Sequence, residues 1–264
     1  LAEALPGLLA SLKFNKTMRW NNSGVAFSRP VRWLLALLST NPIAFEYAGM
    51  NSSYKTKGLR HADHPIESID DLNAYLDFMT TQGIILDPAA RKQSILQQAT
   101  ALAESIGGHL KDDAALLEEV TQLVERPTAL LGNFDAKFLE SLPSEVLIAV
   151  MKKHQRYFPV FDAEGKLMPY FIIVRNGDAA HAELVVEGNL QVILARFVDA
   201  EFFIKEDMTK SLAEFLPALD LLTFQKQLGS MLDKTHRIEA LTRILADKLA
   251  LDEQDQATAA SAAK

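Results

Sequence analysis

Residues 144–177, SEVLIAVMKKHQRYFPVFDAEGKLMPYFIIVRNG, join an amphipathic helix, a cluster of cations and two apolar strands in one short span. Pro143 and Ser144 mark a helix start, and Val146, Leu147, Val150 and Met151 follow at helical spacing. The far end of that helix reads Lys152, Lys153, His154, Gln155, Arg156, Tyr157, Phe158, Pro159, and no acidic side chain occurs between Glu145 and Asp162. Two readings of this run stand side by side. Cations at a helix C terminus complement the partial negative charge of the last carbonyls. Cations beside aromatic rings also suit phosphates and stacked bases. Residues 157–161, the turn 162–165 and residues 168–174 predict a hairpin of apolar strands, in which the aromatic side chains are packing residues.

Working outward from this span, residues 25–60 read as strands and turns. An apolar run at 31–38 is either a strand or a buried helix, Asn41 and Pro42 mark a turn, and 43–47 is a second short strand. Helical spacing takes over from Ser68. Ser68 or Asp70 caps a helix bearing Ile69, Leu72, Tyr75, Leu76 and Met79 that ends near Gly83. Asp87 caps the next, with Pro88 at its first position, Ile95, Ala99, Leu102, Ala103 and Ile106 on one face, and Gly107 and Gly108 as its stop. A third helix starts at Asp112 or Asp113 and carries Leu116, Leu117, Val120, Leu123 and Val124, before Pro127 and a strand at 128–131. Beyond the hairpin, 186–205 is expected to be helical, with Val192, Ile193, Phe197, Ala200 and Phe203 toward a core. A last long helix then places Phe224, Leu228, Met231, Ile238, Leu241, Leu245 and Leu249 on one stripe, with Gly229 inside it. The pattern is α+β followed by a helical segment.

The 264 residues are 48% hydrophobic, enough to fill a core, and contain no cysteine, which excludes disulfides and thiolate metal sites. No apolar run approaches the ~20 residues that span a bilayer. The chain opens on Leu1 and closes on DQATAASAAK, ends that predict a piece of a longer polypeptide. Net charge is −7 but uneven: residues 4–62 hold eight Lys and Arg against Glu46 alone, whereas 63–264 hold 19 Lys and Arg against 32 Asp and Glu. That asymmetry allows a nucleic acid on one face; cations paired with the acidic half account for it equally well.

Catalytic signatures are weak. No phosphate-cradling GxxxxGK[ST] loop occurs. His61, Asp63 and His64 cluster, but without a second ligand pair at a metal-site spacing. Asp233 and His236 lie three apart, which reads as a helix-surface pair, and no His-Asp dipeptide is present. No metal site and no catalytic residue is therefore expected.

The run HQRYFPV and the GKL.P.FI.V.NG after it occur together with Met18, Arg19, Trp20; Phe27, Arg29, Pro30, Val31, Arg32; and Glu118, Glu119, Val120, Leu123, Val124, Glu125, Pro127. Gly188, Asn189, the stretch 195–203, and Leu228, Gly229, Lys234 and Arg237 follow in order. In these blocks the chain resembles the beta subunit of the bacterial two-subunit glycine-tRNA ligase family. It departs at Thr56, Lys57, Gly58, Leu59, Arg60, His61, where the family has Gly-His-Arg after the Thr, and at Leu190, where an acidic residue is usual.

The resemblance implies a B3/B4-like mixed domain over 1–204 with inserted helices at about 68–126, similar to the domain of phenylalanine-tRNA ligase. It further implies that 205–264 is a helical segment, the start of an HD-type domain. It implies an aminoacyl-tRNA synthetase of the cytoplasm, a hetero-tetramer in which ATP and magnesium serve the separate alpha subunit, so that this piece has no cofactor of its own. The expected partners are that alpha subunit and glycine tRNA, with no membrane, and the expected role is scaffold and tRNA contact. Candidate tRNA contacts are Lys152, Lys153, Arg156, Arg60, Arg175 and Arg196, with Tyr157 or Phe158 as a stacking platform if exposed. The alternatives are docking on the alpha subunit without tRNA contact, and an editing-type hydrolytic domain.

Overall fold

The structure is a computed structural model that describes residues 1–59 and 66–263. Arg60 and the cluster His61, Asp63 and His64 lie outside the described residues. The chain divides into two units, Leu1–Ala195 and Arg196–Lys264.

The first unit begins with helix α1 (Ala4–Ser11) and a set of very short strands, β1 (Leu34–Leu35), β2 (Leu37–Leu38), β3 (Asn41–Pro42), β4 (Glu46–Tyr47), β5 (Met50–Ser53), β6 (Lys55–Thr56) and β7 (Glu67–Ser68). The apolar run at 31–38 is thus extended, but broken into two-residue pieces. β1 pairs parallel to β5, and β2 turns back on β3.

Three helices follow: α2 (Leu72–Thr81), α3 (Pro88–Ser105) and α4 (Ala114–Leu123). The α2 cap is Asp71, which accepts from the Ala74 N–H at 2.9 Å, rather than Ser68 or Asp70; Ile69 is buried ahead of the helix. Asp87 caps α3, with Pro88 at its start, as expected. Asp113 caps α4 through the Leu116 N–H at 3.0 Å.

The core sheet consists of β8 (Pro127–Asn133), β9 (Phe158–Phe161) and β10 (Leu167–Asn176), ordered β8-β10-β9 and antiparallel throughout. Helices α5 (Lys137–Ser141) and α6 (Ser144–Ala149) lie between β8 and β9, and α7 (Ala182–Asp207) follows β10; the division between the two units falls within α7. Ile95, Ala99 and Ala103 of α3 and Leu116, Leu117 and Val120 of α4 pack with Phe158, Val160 and Ile172 of the sheet. Successive strand residues face opposite sides. Because Phe171, Ile172 and Ile173 are all buried, both faces of β10 are covered. On α7, Ile193 and Phe197 are buried as expected, but Val192 and Phe203 are exposed.

The second unit holds α8 (Leu212–Phe215), a 3-10 turn (Leu216–Leu221), the hairpin β11 (Thr223–Gln225) and β12 (Gly229–Ser230), α9 (Met231–Lys248) and α10 (Glu253–Ala262). The single long helix expected from Phe224 onward is therefore corrected: Phe224 lies in a strand, Leu228 in the hairpin turn, and the helix begins at Met231. Gly229 adopts φ 77°, outside the helical region, and Ser230 and Asp233 form a capping box that fixes the start of α9. Asp233 is thereby engaged with Ser230, accepting from its backbone N–H at 2.8 Å.

Candidate functional site

The cationic run sits at an irregular helix end. Helix α6 passes into a π-helical turn, Val150–Gln155, and Arg156 closes it in the left-handed region at φ 58°, ψ 37°. The Tyr157 N–H donates to Met151 O at 2.9 Å and the Arg156 N–H to Lys152 O at 3.1 Å. This resembles a Schellman closure widened by one residue, a widening of the kind a π turn introduces. A side chain other than glycine in this backbone region costs roughly 1–2 kcal/mol. Arg156 occupies it nonetheless, anchored by buried Met151 on one side and buried Tyr157 on the other.

The run lacks acidic neighbours in sequence but acquires them in space. Lys152 pairs with Asp113, the cap of α4, and Arg156 Nε meets Glu119 Oε1 at 2.8 Å. Helix α4 thus supplies both counter-charges, which neither the helix-terminus reading nor the phosphate reading of this run included. Lys153 is different: it is exposed and, among the described residues, forms no ion pair. Arg175 on β10 donates from Nη1 to Ala180 O at 2.6 Å. Arg196, on α7, is exposed and belongs to the second unit.

The aromatic residues do not form a platform. Tyr157 and Phe158 are 5% and 7% exposed, so neither ring has a face open to a base, and the stacking role given to them is withdrawn. Phe158 packs in the α3–α4 cluster. The Tyr157 ring stacks on Phe171 at 5.2 Å with planes 18° apart, and its hydroxyl donates to Asn189 Oδ1 at 2.5 Å. Burial pushes the Tyr157 phenol up to about 12, so it remains a neutral donor at physiological pH.

Arg156, Tyr157, Arg175 and Asn189 converge on a cleft of about 210 Å³ between α4, the π turn, β10 and α7. Sequence reasoning had named the first three. It missed the role of Asn189, noticed only as part of a Gly-Asn pair, and missed Glu119 and Asp113 as counter-charges. The signals were present: Asp113 was a candidate cap, and Glu119 belonged to a quoted motif.

Asp113 also carries a pH dependence. Burial alone would raise its carboxyl, but the hydrogen bond from Lys152, the Leu116 N–H and the charge of Lys152 together hold it below its ordinary 3.8. A carboxylate depressed in the folded state adds stability that is full above its unfolded value and lost as pH falls through the folded one. Acid titration of thermal stability is expected to show a loss that begins as pH drops below about 3.8 and that Asp113→Asn diminishes. An identical acid limb in the variant would remove Asp113 from that account.

Among the described residues, no helix is long and apolar enough to cross a membrane, and no group of three or more His, Cys, Asp or Glu is placed to hold a metal.

The family model described as "Glycyl-tRNA synthetase beta subunit" matches residues 1–264. The chain is 43% identical over 251 residues to the glycine–tRNA ligase beta subunit of Moorella thermoacetica, a match covering 95% of this chain and 36% of that protein. With the beta subunit of Bacillus subtilis it is 42% identical over 253 residues, 96% of this chain and 37% of the relative. With the chloroplastic/mitochondrial glycine–tRNA ligase 2 of Arabidopsis thaliana it is 43% identical over 253 residues, 96% of this chain and 23% of the relative. The chain therefore spans little more than a third of the length of these bacterial relatives.

Proposed function

The chain belongs to the glycyl-tRNA synthetase beta-subunit family, and from that premise we propose that it supports the attachment of glycine to tRNA as a scaffold with an RNA-contacting edge. Amino-acid activation with ATP and magnesium is assigned to a separate alpha subunit, the whole being a cytoplasmic hetero-tetramer. The first unit is read as a B3/B4-type domain and the second as the opening of an HD-type domain.

One observation carries the RNA-contact reading: Lys153 is exposed and, among the described residues, without an ion pair, between Lys152 and Arg156, two cations that an acidic helix holds in place. Phosphate contacts add affinity that falls with salt, by a slope of about 0.9 per phosphate neutralised on B-form DNA and about 0.7 on single strands. Lys153→Ala in the whole enzyme is expected to lower the salt slope of tRNA binding by about one contact. The triple change of Lys152, Lys153 and Arg156 to Ala lowers it further. Unchanged affinity and slope in the triple variant would sink the reading.

A second reading, protein docking, is favoured by the second unit, which leaves Leu241 and Leu245 of α9 and its C-cap Leu249 exposed along with Leu212 and Leu221. Contiguous exposed apolar surface marks interaction sites. The alpha subunit and another part of the beta subunit are its candidate occupants. Loss of alpha-subunit co-purification in Leu241→Asp/Leu245→Asp, with the cation variants unaffected, would select the former.

A further inference from the structure

We infer that the cleft between α4, the π turn, β10 and α7 receives a single unpaired nucleotide of an RNA, with its phosphate on Arg156 and Arg175 and its base against an aliphatic floor. This rests on the RNA-contact reading above and extends it from a charged edge to a defined pocket.

Four observations support this assignment. The rim carries two guanidinium groups from separate elements, and each retains free donors. Arg156 commits Nε to Glu119 and one Nη1 hydrogen to His154 O, and Arg175 commits Nη1 to Ala180 O. A guanidinium has five N–H donors in a planar fork that matches phosphate oxygens. Behind the rim, Val120, Val124, Ile173 and Val185 make an apolar floor. At about 210 Å³ the cleft is smaller than the roughly 300–1,000 Å³ of whole-ligand pockets, which suits one base rather than a complete cofactor.

Asn189 supplies the third observation. Its Oδ1 accepts from the Tyr157 hydroxyl at 2.5 Å and its Nδ2 donates to Val185 O at 2.6 Å. These two bonds fix which way the amide points and leave its second Nδ2 hydrogen for a base acceptor. The fourth is the backbone. Arg156 adopts a conformation that glycine would take without strain, and strain held at a cleft points to a required side chain. Lys153, exposed on the same turn three positions before Arg156, adds a cation outside the cleft lining, which suits a nucleotide within a chain better than a free mononucleotide.

The test uses the whole enzyme and two labelled probes of mixed sequence, a single-stranded RNA hexamer and a blunt RNA duplex. Arg175→Gln and Arg156→Gly are each expected to weaken hexamer binding by about tenfold and duplex binding by less than about twofold. Arg156→Gly also relieves the left-handed backbone, so its thermal midpoint is expected to hold or rise, which separates loss of binding from loss of folding. Equal weakening on both probes reduces the cleft to a phosphate patch and overturns the pocket. Competition by adenosine monophosphate stronger than by unlabelled hexamer overturns it in favour of a mononucleotide site. No change with either probe overturns it outright. If Lys153→Ala weakens both probes while the cleft variants do nothing, the RNA-contact reading stands and the pocket alone fails.

Discussion

Phe171→Ala is expected to lower the unfolding free energy of the first unit by about 3–5 kcal/mol, the range for truncating a fully buried aromatic. Phe171 is 0% exposed at the centre of β10. Its ring lies over Gly132 of β8, where an added Cβ would overlap it, and stacks on Tyr157. Glycine opposite the ring leaves no side chain to move into the vacated space, so the cavity persists. Tyr157 loses its stacking partner too, and with it part of what holds the π turn and Arg156. Chemical denaturation with an unchanged m value measures the loss. Leu123→Ala, at a position 57% exposed, is the matched control and is expected to stay within about 0.5 kcal/mol. A Phe171→Ala loss no larger than the control's would show that the sheet core closes over the gap.

Arg91→Ala is expected to be nearly as damaging, at about 3 kcal/mol, although it removes no ion pair seen among the described residues. The side chain is buried on α3. It donates from Nε to Thr121 O at 2.9 Å and from Nη1 to Ile85 O at 2.6 Å and Leu86 O at 3.3 Å. Thr121 lies in the last turn of α4, whose carbonyls lack helical partners and carry partial negative charge. One guanidinium therefore closes the end of one helix and the entry to another. Its loss leaves the buried Thr121 carbonyl unpaired, at about 1–3 kcal/mol, and frees the part-buried carbonyls of Ile85 and Leu86 at smaller cost. Arg91→Lys is expected to recover little, because an ammonium on a flexible stem does not reproduce the fork. Full rescue by Lys would mean that charge, not geometry, is what the site requires.

These two residues show where sequence reading succeeds and where it stops. Helix α3 was legible because its signals are local: Asp87 and Pro88 at the start, Gly107 with φ 73° just past the end. The hairpin was legible from its two apolar runs and the turn around Gly165. The hairpin before α9 was not, because Phe224 and Leu228 happen to continue the helical spacing of the true helix. Only the Ser230–Asp233 capping pattern marked the boundary. The environment of the cationic run was illegible for a different reason. Asp113 and Glu119 lie in another helix, and linear sequence does not reveal which acids fold back onto which cations. Arg91, by its type alone, reads as a surface residue. Its burial follows from the carbonyls that surround it.

The π turn has a consequence for insertions and deletions. The donor Tyr157 lies six positions after the acceptor Met151 where an offset of five would close the ordinary form, and both are buried. The segment between them acts as a spacer of set length. Removing any one of residues 152–155 leaves an α-type turn and swings the downstream chain by roughly 100°, the step of one helical residue. Tyr157 would then leave its place on Phe171 and its bond to Asn189. The exposed part of this run can change its chemistry, as at Lys153, far more readily than it can change its number of residues.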